Sequence, residues 1–89
     1  MVEHTYEKRL ARAVIDQAIK DIGRGSFEVA ENAFKYVGMA GFLKLCETAG
    51  YPPELSATLS GLEKSSPIQR RLTADEILTA LRMMGDGEG

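Results

Sequence analysis

The chain holds one cysteine, Cys46, and one histidine, His4. A thiol nucleophile needs a base at its side and a positive environment, and these two residues are far apart in sequence. Cys46 stands four residues after Phe42 and three before Ala49, on the apolar face of a helix, so it reads as a buried structural thiol. One thiol makes no intrachain disulfide, and one Cys with one His cannot supply the four ligands of a usual zinc site. His4 reads as an exposed residue at the start of the first helix. The carboxylates fall on exposed helical positions, often with a Lys partner, and read as a solvated surface. Gly23-Arg24-Gly25 is too short for a phosphate loop and has no strand before it. No catalytic residue, metal ligand or cofactor follows, and an enzyme is not expected.

The cations offer a different chemistry. Lys64, Gln69, Arg70 and Arg71 form the clearest basic cluster, beside Ser65 and Ser66 and near a helix N-terminus. They are candidates for contact with an anion or an acidic partner, against the plainer reading of a solvated loop. Lys8, Arg9 and Arg12 make a second cluster on one side of the first helix, and the two clusters together would make one patch. The whole chain of 89 residues has a formal charge of −2 and a pI near 5.4. Phosphate neutralisation supplies most of the affinity of a nucleic-acid binder, so this balance argues against one without excluding a local basic patch.

The elements that must position these residues are helices. A first helix is predicted over about 3–22. Tyr6, Leu10, Ala13, Val14, Gln17 and Ala18 follow helical spacing, and Ile15, Ile19 and Ile22 widen the stripe. Asp16 and Lys20 form an i, i+4 pair, and Gly23 and Gly25 stop the helix. Ser26 is a good N-cap for a second helix, 27–37, with Glu28 in its first turn and Glu31–Lys35 outside. Phe27, Ala30, Phe34 and Val37 share its face. Gly38 and Gly41 cost about 1 kcal/mol each inside a helix and predict a break or kink, followed by a third helix, 40–49, with Gly50 after it.

Tyr51-Pro52-Pro53 forces an extended turn, and Pro53 suits the first turn of a fourth helix with Leu55, Leu59 and Leu62 on its apolar edge. Lys64 to Pro67 is a second break. Residues 68–72 read as one helical turn. Thr73-Ala74-Asp75-Glu76 is a capping box opening a last helix, 74–84, with Ile77, Leu78, Leu81 and Met84 inward. Gly85 ends it, and 86–89 reads as a frayed acidic tail. The sum is an all-α compact bundle of four to five short helices in one domain, 1–85. At 44% hydrophobic and 27% charged residues with no Trp, aliphatic side chains and Met must fill its core. A chain of this length buries roughly 60–65% of its unfolded surface. No apolar run approaches the roughly 18 residues of a membrane span, and no N-terminal apolar segment follows Met1. With a single thiol, these features fit a reducing cytoplasm.

Residues 9–59 carry a recognisable order of features. Arg9-Leu10-Ala11-Arg12-Ala13-Val14 leads through Gln17-Ala18 and Lys20-Asp21 to an Ala-rich helix, Ala30 to Tyr36. The run ends in Gly41-Phe42-Leu43-Lys44-Leu45-Cys46-Glu47-Thr48-Ala49-Gly50-Tyr51-Pro52-Pro53. This resembles a family of small bacteriophage and prophage helical proteins of unassigned function, with their Phe-x-x-x-Cys-Glu-x-Ala-Gly turn. The resemblance implies a phage-borne helper or regulator in a bacterial host cell and brings no catalytic residues. The expected function is non-enzymatic binding of a protein partner, with inhibition of a host defence system as one concrete form. A homodimer through the broad apolar stripe of the first helix stays open. The alternative is a DNA-binding regulator, in which the third helix, the Gly50 turn and the fourth helix form a helix-turn-helix. Its reading helix would offer Glu54, Ser56, Ala57, Thr58, Ser60 and Glu63, two acids and none of the Arg, Asn or Gln that base reading favours.

Overall fold

The computed structural model describes the backbone of residues 2–87 and the side chains of residues 6–83; the expectations for the His4 and Met84 side chains lie outside the described residues. Five α-helices follow one another: α1 (Val2–Arg24), α2 (Phe27–Val37), α3 (Ala40–Ala49), α4 (Glu54–Gly61) and α5 (Pro67–Gly87), with a 3-10 turn, Leu62–Lys64, after α4. The fold is an all-α bundle, and no strand occurs among the described residues. No described helix is long and apolar enough to cross a membrane.

Helix α1, 23 residues and so about 35 Å long, is the spine. Helices α5, α3 and α2 each pack against it, while α4 sits on α2 and α3. Its buried face is Ala11, Ile15, Ala18, Ile19 and Ile22. Of the stripe that helical spacing predicts, Ile15, Ala18, Ile19 and Ile22 are buried, and Tyr6, Leu10 and Val14 are not. Tyr6 is 66% exposed, Leu10 54% and Val14 36%. Three helices meet α1 on its isoleucine side, so the line one step round the cylinder faces out.

The middle helices begin and end where their residues dictate. The Ser26 hydroxyl accepts from the Val29 N–H at 3.4 Å and caps α2. Between α2 and α3 the chain breaks rather than bends. Gly38 stays in the right-handed region, and Met39 turns extended and starts α3 with no side-chain cap. Gly50 closes α3 in the left-handed region, φ 79°, with its N–H and that of Tyr51 returned to the last-turn carbonyls. Only glycine takes that conformation without strain. The Ser56 hydroxyl donates to the Val37 carbonyl at 2.9 Å, tying α4 to the end of α2.

Two predicted boundaries move. Helix α1 runs through Gly23 to Arg24, because Gly23 is where α5 crosses: a Cβ there would stand 2.6 Å from the Cβ of Ala74. The last helix does not open at Thr73. It opens at Pro67 and continues unbroken past Gly85 to Gly87. Ser66 is the cap that operates, its hydroxyl accepting from the Gln69 N–H at 3.2 Å, with Pro67 at the first helical position, where its missing N–H is harmless. Thr73 instead accepts from the Gln69 side chain. Of the predicted acidic tail, 86–87 continue this helix, and 88–89 lie outside the described residues.

The core is one apolar cluster drawn from every helix, with Phe42, Ile15, Ile19, Ile22, Leu59, Val37 and Cys46 fully enclosed. No polar or charged side chain is buried among the described residues. Phe27, predicted on the inner face of α2, is 79% exposed instead; α2 turns Ala30, Ala33, Phe34 and Val37 inward.

Candidate functional site

Cys46 is fully enclosed, and burial pushes its thiol above the usual range. The thiolate is the nucleophile, so the site holds this sulfur in its inert form. The fold favours the protonated thiol. Its contribution to stability is therefore complete below the unfolded thiol's ordinary value, about 8.5, and is lost as pH rises through the higher folded value. A disulfide reagent at neutral pH is expected to label Cys46 at the rate of unfolding. Labelling at the rate of a free thiol in the native protein would contradict the packing. Among the described residues no group of three or more His, Cys, Asp or Glu is placed to hold a metal ion.

The two predicted basic clusters do not meet. Lys8 and Arg12 turn towards the end of α3, beside Gly50. Arg70 and Arg71 lie where α5 crosses Gly23, eleven residues or about 16 Å further along α1 than Arg12. Two of the arginines have structural partners. The Arg12 Nε donates to the Ala49 carbonyl at 2.9 Å, and its guanidinium lies over the Tyr51 ring at 5.4 Å. Arg70 donates from Nε to the Leu62 carbonyl at 3.0 Å and from Nη2 to the Glu63 carbonyl at 2.7 Å, and covers the Phe34 ring at 5.1 Å. Each side chain donates to carbonyls at a helix end, and the Leu62 carbonyl accepts from the Ser65 N–H as well. Each also spreads its charge over an aromatic face. Gln69 donates to Thr73 at 3.0 Å. Arg9, Lys64 and Arg71 are exposed.

The structure brings together residues that sequence spacing did not. Lys20, Arg24, Asp75, Leu78, Thr79 and Arg82 line a groove of about 510 Å³ between α1 and α5. Arg24 pairs with Asp75 at 3.1 Å. Asp16 is half-buried nearby. Burial raises its carboxyl's pKa, and the charges of Lys20, Arg82 and Arg12 oppose that rise. Next along the same seam, Arg71 lines a hollow with Gly23, Arg24, Pro67 and Ile68. No spacing rule links Lys20 to Arg82, because they stand on different helices.

On the other side of α1, Val14, Ala18, Val29, Ala33 and Tyr36 line a second groove of about 450 Å³, edged by Gln17, Asp21 and Asn32. The Gln17 amide donates to the Asp21 carboxylate at 2.9 Å along that edge. Leu10 and Tyr6 continue its apolar line up α1 at helical spacing. Helix α4, the reader in the helix-turn-helix alternative, exposes Glu54, Ala57, Thr58 and Ser60, with no cation among them.

No family model, curated protein or solved structure matches the chain.

Proposed function

We propose that this chain works without catalysis, by binding another protein through the face of α1 and α2. The observation that carries the reading is the uncovered line Tyr6–Leu10–Val14, running into the apolar groove between the two helices. A straight groove between neighbouring helices, with an apolar floor and amide and carboxylate edges, suits an amphipathic helix that lays its apolar side inward. The enclosure of Cys46, which withholds its thiol from a substrate, supports the non-enzymatic half. The resemblance in residues 9–59 gives the reading a setting, a phage or prophage accessory protein in the bacterial cytoplasm. Blocking a host-defence protein is its concrete form. The exposed side of α4 favours this over the DNA-binding regulator, since it offers a duplex a carboxylate and no cation.

The test uses Leu10→Glu with Val29→Glu, both at exposed positions, so the fold is retained. A tagged chain is expected to recover a host or phage protein that the double variant recovers at about a tenth of the level or less. Equal recovery by both would overturn the reading. So would light scattering that shows a dimer which the variant dissolves, because a second copy would then occupy the face.

A further inference from the structure

We propose that the seam between α1 and α5 is a second docking surface, which takes an acidic segment of a partner protein on the cations Lys20, Arg71 and Arg82. It uses none of the α1–α2 groove and stands or falls separately from it. Lys20, Arg24 and Arg82 line one stretch of the seam, and Arg24 and Arg71 the next. Arg71 and Arg82 are eleven residues apart on α5, so the band is about 16 Å long. Arg9 stands eleven residues before Lys20 and therefore on the same side of α1, at nearly the same angle. Arg9, Lys20, Arg71 and Arg82 are exposed and make no ion pair among the described residues. Asp75 pairs with Arg24 and offsets it, and Asp16 is half-buried and feels the charges of Lys20 and Arg82, so the four cations Lys20, Arg24, Arg71 and Arg82 keep a surplus of two over the two carboxylates. On a chain whose formal charge is −2, this is a concentration of the opposite sign.

Guanidinium groups match carboxylates in a planar, two-point geometry, so Arg71 and Arg82, with Lys20 beside them, suit spaced Asp or Glu side chains. Two features favour a protein segment over a nucleic acid. A duplex brings an unbroken row of phosphates past Asp75 and Asp16, whereas a peptide can set uncharged residues opposite them. And the hollow beside Arg24 and Arg71 is walled by Ile68, 74% exposed, which gives an apolar residue of a peptide a place at the end of the band.

The probe is a fluorescein-labelled Glu-Ala repeat peptide with a terminal Leu, followed by anisotropy against the full chain. Binding is expected at about 20 mM salt and is expected to weaken about tenfold or more by about 200 mM. Lys20→Glu with Arg82→Glu is expected to weaken it about tenfold or more, with an unchanged helical spectrum. Lys35→Glu with Lys44→Glu alters net charge equally at exposed positions elsewhere and is expected to stay within about twofold. Arg71→Glu gives the same reading should the first double variant not fold. Equal loss in both double variants would reduce the effect to net charge and overturn the proposal. No peptide binding at low salt, or a labelled DNA duplex held more tightly than the peptide, would overturn it too.

Discussion

Replacing Phe42 with Ala is expected to lower the free energy of unfolding by about 3–5 kcal/mol. The ring is fully enclosed and meets the edge of Tyr36, with centroids 5.8 Å apart and planes at 80°. It sits in the first turn of α3, just after the two-residue turn from α2, and shares the inner face of α3 with Cys46 and Ala49. Truncation removes the apolar burial of the ring and leaves a cavity that α1, fixed by three neighbours, cannot close. A domain of this size has about 5–10 kcal/mol in all, so the variant should be largely unfolded at modest urea. The control is Phe27→Ala. Phe27 is 79% exposed, and its loss should change stability by no more than about 0.5 kcal/mol. Urea unfolding followed by circular dichroism measures both. A Phe42→Ala loss below about 1 kcal/mol, or equal losses at the two positions, would mean that α3 is not seated as described.

The contrast between these two phenylalanines shows what the sequence carries. Helical spacing places both on apolar faces, and it cannot say which face finds a partner. The same limit explains α1. Its aliphatic residues cover so wide an arc that two adjacent lines fit the periodicity. The line with Ala11 and Ala18 wins because small residues let neighbouring helices come close. The boundaries of α2, α3 and α4 were legible because their causes are local: the Ser26 hydroxyl, the positive φ of Gly50, the two prolines. The start of α5 was ambiguous for a local reason as well. Ser66-Pro67-Ile68-Gln69 and Thr73-Ala74-Asp75-Glu76 both fit the Ser/Thr-x-x-Glu/Gln pattern. The first prevails because Pro67 suits only the opening of a helix, and the helix it opens then runs through Thr73.

The candidate cations were visible as charges, but their roles depend on distant carbonyls. Arg12 serves the end of α3, 37 residues away, and Arg70 the 3-10 turn after α4. The α1–α5 band is invisible in the sequence for the same reason. It exists only once Lys20 and Arg24 are brought beside Arg71 and Arg82.

Gly23 is the residue on which that juxtaposition depends, and its replacement is the sharpest test of the bundle. In an isolated helix Gly→Ala stabilises by about 1 kcal/mol. Here the added Cβ would lie 2.6 Å from the Cβ of Ala74, with the Arg70 carbonyl at 3.5 Å and the Arg71 Cα at 3.6 Å behind it. Ala74 has no rotamer with which to retreat, so α5 itself must move away from α1. Overpacking of this kind costs about 1–3 kcal/mol and outweighs the helical gain, so Gly23→Ala is expected to destabilise. Gly41, whose Cβ would meet nothing within 4 Å, supplies the opposite sign: Gly41→Ala is expected to stabilise by up to about 1 kcal/mol. The decisive variant is Gly23→Ala with Ala74→Gly. It moves the methyl from α5 to α1, relieves the clash and exchanges one helical preference for the other. Its stability should return close to that of the parent, giving a coupling of about 1 kcal/mol or more between the sites. Additive losses in the double variant, or a Gly23→Ala chain more stable than its parent, would show that α1 and α5 do not touch at this point. The band of cations along their seam would then lose its geometry.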